Sequence, residues 1–421
     1  MLQATLSISR VALWALAGVL VLQACAKTAS TPPSPPPPQT PPSPPSIVGP
    51  EAAAKADWRG PVLDQAMRVA SSPEGKSHAK IKSRLQRDVA ACALQLGMTD
   101  RALTIAAAVQ DWREGEVLAL AAQQMARSGE RDRAKRCIAR AAEIANRTDG
   151  WRKEITQAEI GLALALLGDV EAARQFGGAL PPELTGRVEA QLSGQVSLEE
   201  LDRQCDAYDR AIATGSFDVV RSGIDGYFAV WERAPDDIAR RTRAERAIRA
   251  AVTGLPLELQ IASRIRLADK LLAARDRSAA IAELESAERI LAQFEFTTET
   301  RGAIVRDLAS AWIRMDQPTR ARPLVVAAVQ AYIDAPTAMV DIDRADYLRP
   351  LAEALAALGD ADEARAVWTR ALEAGAVNPN ARPRAEDLCL TCLSMVRADV
   401  PPSDAMRQSM QSIEAGLKAP W

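Results

Sequence analysis

The chain has 421 residues, of which 25% are charged, and its formal net charge is −2. This near balance of acids and bases argues against nucleic-acid binding, which needs a basic surface. Aromatic residues make up only 4% of the chain, and β-branched residues rarely alternate with polar ones, so the composition predicts an all-α fold. The length exceeds what one compact domain usually needs, but it suits an elongated stack of repeats.

The first 24 residues have the layout of a secretory signal peptide. Met1–Arg10 is short and weakly basic, and Val11–Leu22 is a twelve-residue apolar run. Such a run is too short to span a bilayer comfortably, but it suits the hydrophobic region of a signal peptide. We therefore predict that residues 1–24 form no part of the mature fold.

The residues at the end of this segment, Leu22-Gln23-Ala24-Cys25, resemble the lipobox of bacterial lipoproteins. The resemblance implies that Cys25 becomes N-terminal and lipidated, which would anchor the mature protein without a transmembrane helix. Ala26, in place of an aspartate, implies passage to the outer membrane, with the protein facing the periplasm. The alternative is an ordinary cysteine in a signal peptide, and the polar Gln23 favours that alternative.

Residues 25–56 are predicted to form a proline-rich, disordered tether. Eleven prolines lie between Pro32 and Pro50, and no charged residue separates Lys27 from Pro50. Proline fixes φ and lacks an amide donor, so the segment can form neither helix nor sheet and should be an extended polyproline II spacer. Its PxxP spacings are also typical of ligands for aromatic grooves.

Helical periodicity begins near Asp57 and recurs in similar units up to residue 400. The clearest unit runs from Asp346 to Gly375, where Gly359-Asp360 separates two amphipathic stretches. The apolar stripes of these stretches are Leu348, Leu351, Ala352 and Leu355 in the first, and Ala364, Trp368 and Ala371 in the second.

This arrangement resembles the tetratricopeptide repeat, which also places a small residue beside a large one in its first helix and an alanine, a bulky residue and an alanine in its second. The resemblance implies an α-solenoid of antiparallel helical hairpins, because small residues let the two helices approach closely. The frame recurs in six copies. The anchor alanine, which begins the series in each second helix, is Ala102, Ala134, Ala173, Ala280, Ala321 or Ala364.

The spacing of these anchor alanines departs from the 34 residues of the family. Most lie 32 to 43 residues apart, but Ala173 and Ala280 are 107 apart, and Pro181, Pro182 and Pro235 interrupt that stretch. We predict about seven to nine repeats over residues 57–400 with an irregular middle. Another α-solenoid, such as HEAT-like helix pairs of about forty residues, is the alternative. Residues 401–421 are predicted to form a capping helix and tail.

A solenoid exposes one continuous concave wall, which in the resembling family comes from the first helix of each hairpin. When the wall positions of the family's first helix are matched to this sequence residue by residue, the resemblance implies that the wall is rich in arginine. A guanidinium group binds a carboxylate through two hydrogen bonds, so acidic segments or C-terminal carboxylates are plausible ligands; the alternative is an ordinary solvated surface. The predicted wall residues are Arg84, Arg87, Gln123, Arg127, Asp269, Arg306, Arg314, Arg349 and Glu353.

Few residues in the chain point to catalysis. His78 is the only histidine, so histidine-based triads and paired-histidine metal sites cannot be assembled from this chain, and we expect a surface residue at a helix start. Cys389 and Cys392 form a CxxC motif within a predicted helix. Buried packing thiols, a disulfide, and a redox or metal site remain alternatives for them. We predict no enzyme activity, no cofactor and no metal site.

Together these features predict a lipid-anchored scaffold of the bacterial cell envelope that binds other proteins, with membrane contact only through its anchor and no nucleic-acid partner. The alternative function is a non-catalytic accessory subunit of an envelope assembly, secretion or enzyme complex.

Overall fold

The computed structural model describes residues 57–178, 180, 182–192, 198–213, 215, 217–234 and 236–418. The predicted signal peptide, Cys25 and the proline-rich tether lie outside these residues. The described residues form nineteen α-helices and two short 3-10 helices, and they contain no strand. The predicted all-α class is therefore confirmed.

The helices, in chain order, are α1 (Arg59–Ser71), α2 (Ala79–Gln95), α3 (Thr99–Ala106), α4 (Arg113–Arg127), α5 (Arg131–Ala145), α6 (Trp151–Leu166), α7 (Val170–Gly177), α8 (Pro182–Gln191), α9 (Leu198–Ala213), α10 (Phe217–Arg233), α11 (Ile238–Val252), α12 (Leu257–Ala273), α13 (Arg277–Gln293), α14 (Thr298–Arg314), α15 (Pro318–Asp334), α16 (Asp341–Ala357), α17 (Ala361–Ala376), α18 (Ala381–Arg397) and α19 (Asp404–Ala415).

Six consecutive pairs pack as helical hairpins: α2 with α3, α4 with α5, α6 with α7, α12 with α13, α14 with α15, and α16 with α17. We call the even-numbered helices from α2 to α18 the A helices and the odd-numbered helices from α3 to α19 the B helices. Each predicted anchor alanine is the fourth residue of its B helix and is completely buried. An alanine side chain leaves room for the A helix to approach, so these positions set the hairpin geometry.

The turns between A and B helices repeat one backbone conformation. In seven turns a residue with positive φ ends the A helix, and the next residue donates its amide to the carbonyl five positions earlier, as Asp360 does to Leu355 at 3.0 Å. This is the Schellman motif, which satisfies carbonyls at a helix C-terminus. The positive-φ residues are Gly97, Gly129, Gly168, Arg275, Asp316, Gly359 and Asp399.

Helices α8–α11, in the middle of the chain, pack in a different way. A Cβ on Gly226 of α10 would lie 2.4 Å from Cζ of Tyr208 on α9, and one on Gly223 would lie 2.8 Å from Cγ1 of Ile212. The large side chains of the B helix thus fill hollows left by glycines of the following A helix. The anchor alanines act within a hairpin, whereas this contact joins a B helix to the A helix that follows it.

The two ends of the helical unit meet. Each A helix from α2 to α10, and from α12 to α18, packs against the next one, and α11 packs against both α10 and α12. Helix α18 then packs against α1 and α2. Arg84 of α2 pairs with Glu386 of α18 at 2.8 Å, and Arg68 of α1 pairs with Glu414 of α19 at 2.7 Å. The helices therefore form a closed circuit of contacts.

The last helix, α19, packs against α17 and α18. It buries Met406 and Met410, and Ser403 caps its N-terminus by accepting the amide of Met406 at 3.2 Å. Because Glu414 also contacts α1, this helix joins the last hairpin to the first helix of the unit.

Candidate interaction surfaces

All nine predicted wall residues lie on A helices, as the sequence frame placed them. Two are on α2, two on α4, one on α12, two on α14 and two on α16. Their surroundings differ from the prediction, which expected side chains free to receive a partner. The contacts of each side chain decide whether it can do so.

Two of the predicted wall residues are buried, so the expectation that they face solvent is wrong. Gln123 is 6% exposed, and its amide nitrogen donates to Oε2 of Glu159 on α6 at 2.7 Å. Arg349 is also 6% exposed, and it donates to Oδ1 of Asp387 on α18 at 3.1 Å. Both lie between neighbouring A helices, where very little of the side chain reaches solvent.

Most of the other predicted residues pair with charges of their own protein. Arg314 makes two hydrogen bonds of 2.9 Å to the carboxylate of Asp269, so two predicted residues bind each other across α14 and α12. Glu353 of α16 accepts a hydrogen bond of 2.9 Å from Arg397 of α18. A guanidinium group whose fork already binds a carboxylate must exchange that carboxylate before it can bind a partner.

Helix α2 carries two further examples. Besides the Arg84 and Glu386 pair, Arg87 lies 3.0 Å from Asp88 and its Nε lies 3.5 Å from Oε2 of Glu116. Arg306 of α14 pairs with its neighbour Asp307 at 2.8 Å. Arg127, at the end of α4, is exposed.

The acids near Arg87 lie in an enclosed environment. Burial raises the pKa of Asp88 above its ordinary value, against the opposing effect of Arg87, and burial likewise raises the pKa of Glu116. The side chains of Asp88 and Glu116 are still 24% and 14% exposed to solvent, respectively. Water therefore reaches them, while protein surrounds them on most sides. Partial burial makes it less favourable for these two acids to be ionised, and the neighbouring arginines offset part of that free-energy cost.

The CxxC cysteines are buried and free. Cys389 and Cys392 lie on α18 with no exposed surface, and they form no disulfide. Burial raises the pKa of Cys392 to about 12 and that of the neighbouring Cys92 to about 11. Since the thiolate is the reactive form, these cysteines behave as packing residues. No group of three or more histidines, cysteines or acids that could hold a metal occurs among the described residues.

An aromatic pair lies apart from the hydrophobic core. Trp112 and Trp151 lie at the starts of α4 and α6 and meet edge to face, with ring centroids 5.4 Å apart, and Trp151 is 48% exposed. Gly115 allows the helices to approach here, since a Cβ there would lie 3.1 Å from side-chain atoms of Ile144 and Thr156. The predicted wall did not include these tryptophans.

A second feature that the wall prediction missed is a basic run at the start of α2. Between Gly75 and Arg87 the chain contains Lys76, His78, Lys80, Lys82 and Arg84 but no acid. A count of charge along the sequence would have found this run. As expected, His78 lies at the start of a helix, directly before α2.

Among the described residues, no helix is both long enough and apolar enough to cross a membrane. No known family model matches the chain, and no curated protein is similar to it. Among solved structures, the chain is similar to the crystal structure of Ton1535 from Thermococcus onnurineus NA1, with 14% sequence identity. The match covers 84% of this chain and 96% of Ton1535, with a TM-score of 0.26, and at that score it carries no argument about function.

Proposed function

We propose that this protein is a lipid-anchored scaffold of the bacterial cell envelope that binds other proteins through tetratricopeptide-like helical hairpins. The recurrence of one hairpin geometry supports the proposal: six buried anchor alanines and seven turns of the same conformation lie on a single chain. Stacked hairpins of this kind present extended surfaces that suit polypeptide ligands. Six such hairpins occur among the described residues, and the total of seven to nine repeats stays a prediction.

The anchor would come from Cys25, which the lipobox resemblance identifies as the lipidated residue. Replacing Cys25 with serine should abolish incorporation of labelled fatty acid and release the protein from the membrane fraction. Continued labelling of the Cys25→Ser variant would contradict the anchor, although it would leave the binding role open to a separate test.

Binding is tested by crosslinking the tagged full-length protein in cells, purifying it from membranes and identifying captured proteins by mass spectrometry. We expect a small set of proteins to be enriched over the Cys25→Ser variant. A stable stoichiometric complex in the same preparation would favour the accessory-subunit alternative. No protein enriched over that control would contradict the proposal.

The A helices can be tested with exposed residues only. Arg127→Glu changes an exposed side chain of the predicted wall, whereas Arg314 is held by Asp269 and Arg349 is buried, so substitution of either of these would disturb the packing of the A helices. Arg370→Glu on the B helix α17, where the arginine is also exposed, is the matched control. Weaker capture by the first variant alone would support binding at the A helices, and equal capture by both variants would contradict it.

A further inference from the structure

The basic run at the start of α2 lies beside the start of α18. The two helices pack together, and Arg84, the sixth residue of α2, pairs with Glu386, the sixth residue of α18. The helices therefore begin at the same level on one edge of the unit. This edge exists only because the last hairpin closes onto the first helices.

Five cations gather on this edge, and we call them the basic edge: Lys76, Lys80, Lys82, Arg382 and Arg384. Lys76, Lys80 and Lys82 are three of the nine lysines in the chain and fall within seven residues. Lys76, Lys80 and Arg382 are exposed.

No member of the basic edge forms an ion pair with a described residue, although most arginines of the A helices do. Arg384 is the informative case. It donates to the carbonyl oxygens of Asn378 and Pro379 at 2.8 and 3.0 Å and approaches the carbonyl of Gly416 at 3.3 Å. Carbonyl groups satisfy its hydrogen bonds but leave its full charge in place. The exposed Glu74, two residues before Lys76, offsets one of the five charges, and the exposed Lys418 near Gly416 adds another, so the edge keeps a net positive charge.

The backbone reinforces this charge. Neither α2 nor α18 has an acid in its first turn, and neither has a side chain that caps its N-terminus. A helix N-terminus carries partial positive charge, so cations placed there repel it. The neighbouring A helices have the ordinary arrangement, since α4 begins with Glu114 and Glu116, and α16 with Asp341 and Asp343. The basic edge is thus unfavourable for the free protein and complementary to an anion.

We propose that the basic edge binds acidic polypeptide segments of partner proteins. The width of the charged surface favours a segment of chain over a membrane. Acids at the starts of α4 and α16 flank the two basic helices, and packed helix axes lie about 8–10 Å apart. Ion pairs with arginines, such as Glu114 with Arg140 at 3.2 Å and Asp341 with Arg344 at 2.7 Å, leave these flanks without net positive charge. A flat anionic bilayer would therefore gain little from the flanks that it must cover, whereas an extended peptide can follow α2 and α18 alone. This inference rests on the proposed scaffold role and names the class of partner.

The test uses the purified protein and a fluorescent peptide of alternating glutamate and serine, with binding followed by anisotropy at low and physiological ionic strength. The variant replaces Lys80, Lys82 and Arg382 with glutamine. The control makes the same replacement at Lys135, Arg136 and Arg152, three exposed cations of α5 and α6, and so changes the net charge equally. We expect the first variant to weaken binding by about tenfold or more and the control to change it little, since local complementarity exceeds the effect of net charge.

Two outcomes would overturn the inference. One is equal weakening by variant and control, because binding would then follow net charge alone. The other is binding of phosphatidylglycerol vesicles, but not of the peptide, in a manner that depends on the basic edge. If the peptide binds as expected and crosslinking in cells captures no protein, the scaffold role fails while the site stands. If proteins are captured and the peptide does not bind, only the basic edge is disproved.

Discussion

The six regular hairpins and the middle helices α8–α11 differ in which helices make the closest contacts. In the regular hairpins a buried alanine of the B helix, such as Ala364, leaves room for the A helix. In the middle, Gly226 of the A helix α10 leaves room for Tyr208 of α9. Close approach of two helices requires a small residue at the contact, but either helix can supply it.

The two regions also differ in how they hold their acids. In the regular region, Asp387 of α18 is 5% exposed and held by Arg349 and by the amide of Asn378 at 3.1 Å. In the middle, Asp209 of α9 accepts hydrogen bonds from Tyr227 and Arg243 near the surface. One acid is enclosed by neighbouring helices and the other is bound at their rim, so protonation should affect the two regions in opposite directions.

The largest expected effect is a difference in pH dependence. Burial raises the pKa of Asp387 from 3.8 to about 6, against the opposing effect of Arg349. Between these values the folded protein binds more protons than the unfolded chain, so the free energy of unfolding should fall as pH rises from about 4 to about 6. At 1.36 kcal/mol per pKa unit, the fall is on the order of 3 kcal/mol. Urea titrations across this range should show the fall for the wild type, and Asp387→Asn should reduce it by this amount, while the raised pKa values of Asp88 and Glu116 leave a remainder.

Asp209 is the matched acid of the middle region. Its burial opposes ionisation, but the hydrogen bonds from Tyr227 and Arg243 outweigh that effect and lower its pKa. Its stabilising contribution should be present above pH 3.8 and be lost as pH falls through the lowered pKa. Asp209→Asn should therefore change the pH dependence of the urea titrations only below about pH 4. If Asp387→Asn and Asp209→Asn changed the pH dependence of the unfolding free energy over the same pH range, the proposed difference between the two regions would be wrong.

The second prediction concerns the packing of the middle. Gly226→Ala would place a Cβ 2.4 Å from Tyr208 Cζ, and overpacking of this kind costs about 1–3 kcal/mol of unfolding free energy. Gly254→Ala is the control, since its nearest neighbour would be the Ala251 carbonyl oxygen at 3.6 Å, which is ordinary contact. Thermal and urea unfolding should separate the two variants.

A second substitution tests the cause. Tyr208→Leu removes the ring atoms that meet the new Cβ, so Gly226→Ala should cost less in that background than in the wild type. An equal cost in both backgrounds would mean that the glycine serves backbone flexibility and not the close approach of α9 and α10.

The regular hairpins were predictable because their signal is local. An anchor alanine with its neighbours at helical spacing and, in four of the six copies, an intervening glycine lie within one short segment, and the six copies identified from sequence all occur as hairpins. The middle was not predictable in the same way, because its close contact joins the B helix α9 to the following A helix α10 and therefore lies outside the hairpin frame. The contact between the first and last helices could not be predicted from local sequence either. Arg68 and Glu414, which pair at this contact, are 346 positions apart in the chain.

For the candidate site, the sequence frame placed all nine wall residues on A helices but could not predict their availability. Whether Arg349 faces solvent depends on how closely α16 and α18 pack, and a single helix does not encode that distance. Arg314 and Asp269 were both predicted to receive a partner, yet they bind each other because consecutive A helices lie side by side. The basic run from Lys76 to Arg84 is local and was detectable, but its charge becomes a surface only beside α18.

The smallest expected effects lie in the turns, and they test whether the regular hairpins share one conformation for one reason. Gly359 has a φ of +86°, and a Cβ on it would have no neighbour within 4 Å, so Gly359→Ala perturbs only the backbone. We expect a loss of about 1–2 kcal/mol, the cost of a left-handed conformation for a residue with a Cβ. Asp316 occupies the same turn position with a φ of +53° and is exposed, so Asp316→Gly should be neutral or stabilising by up to about 1 kcal/mol. Urea unfolding measures both. If Asp316→Gly destabilises the protein as much as Gly359→Ala, the aspartate side chain, and not its backbone conformation, stabilises that turn.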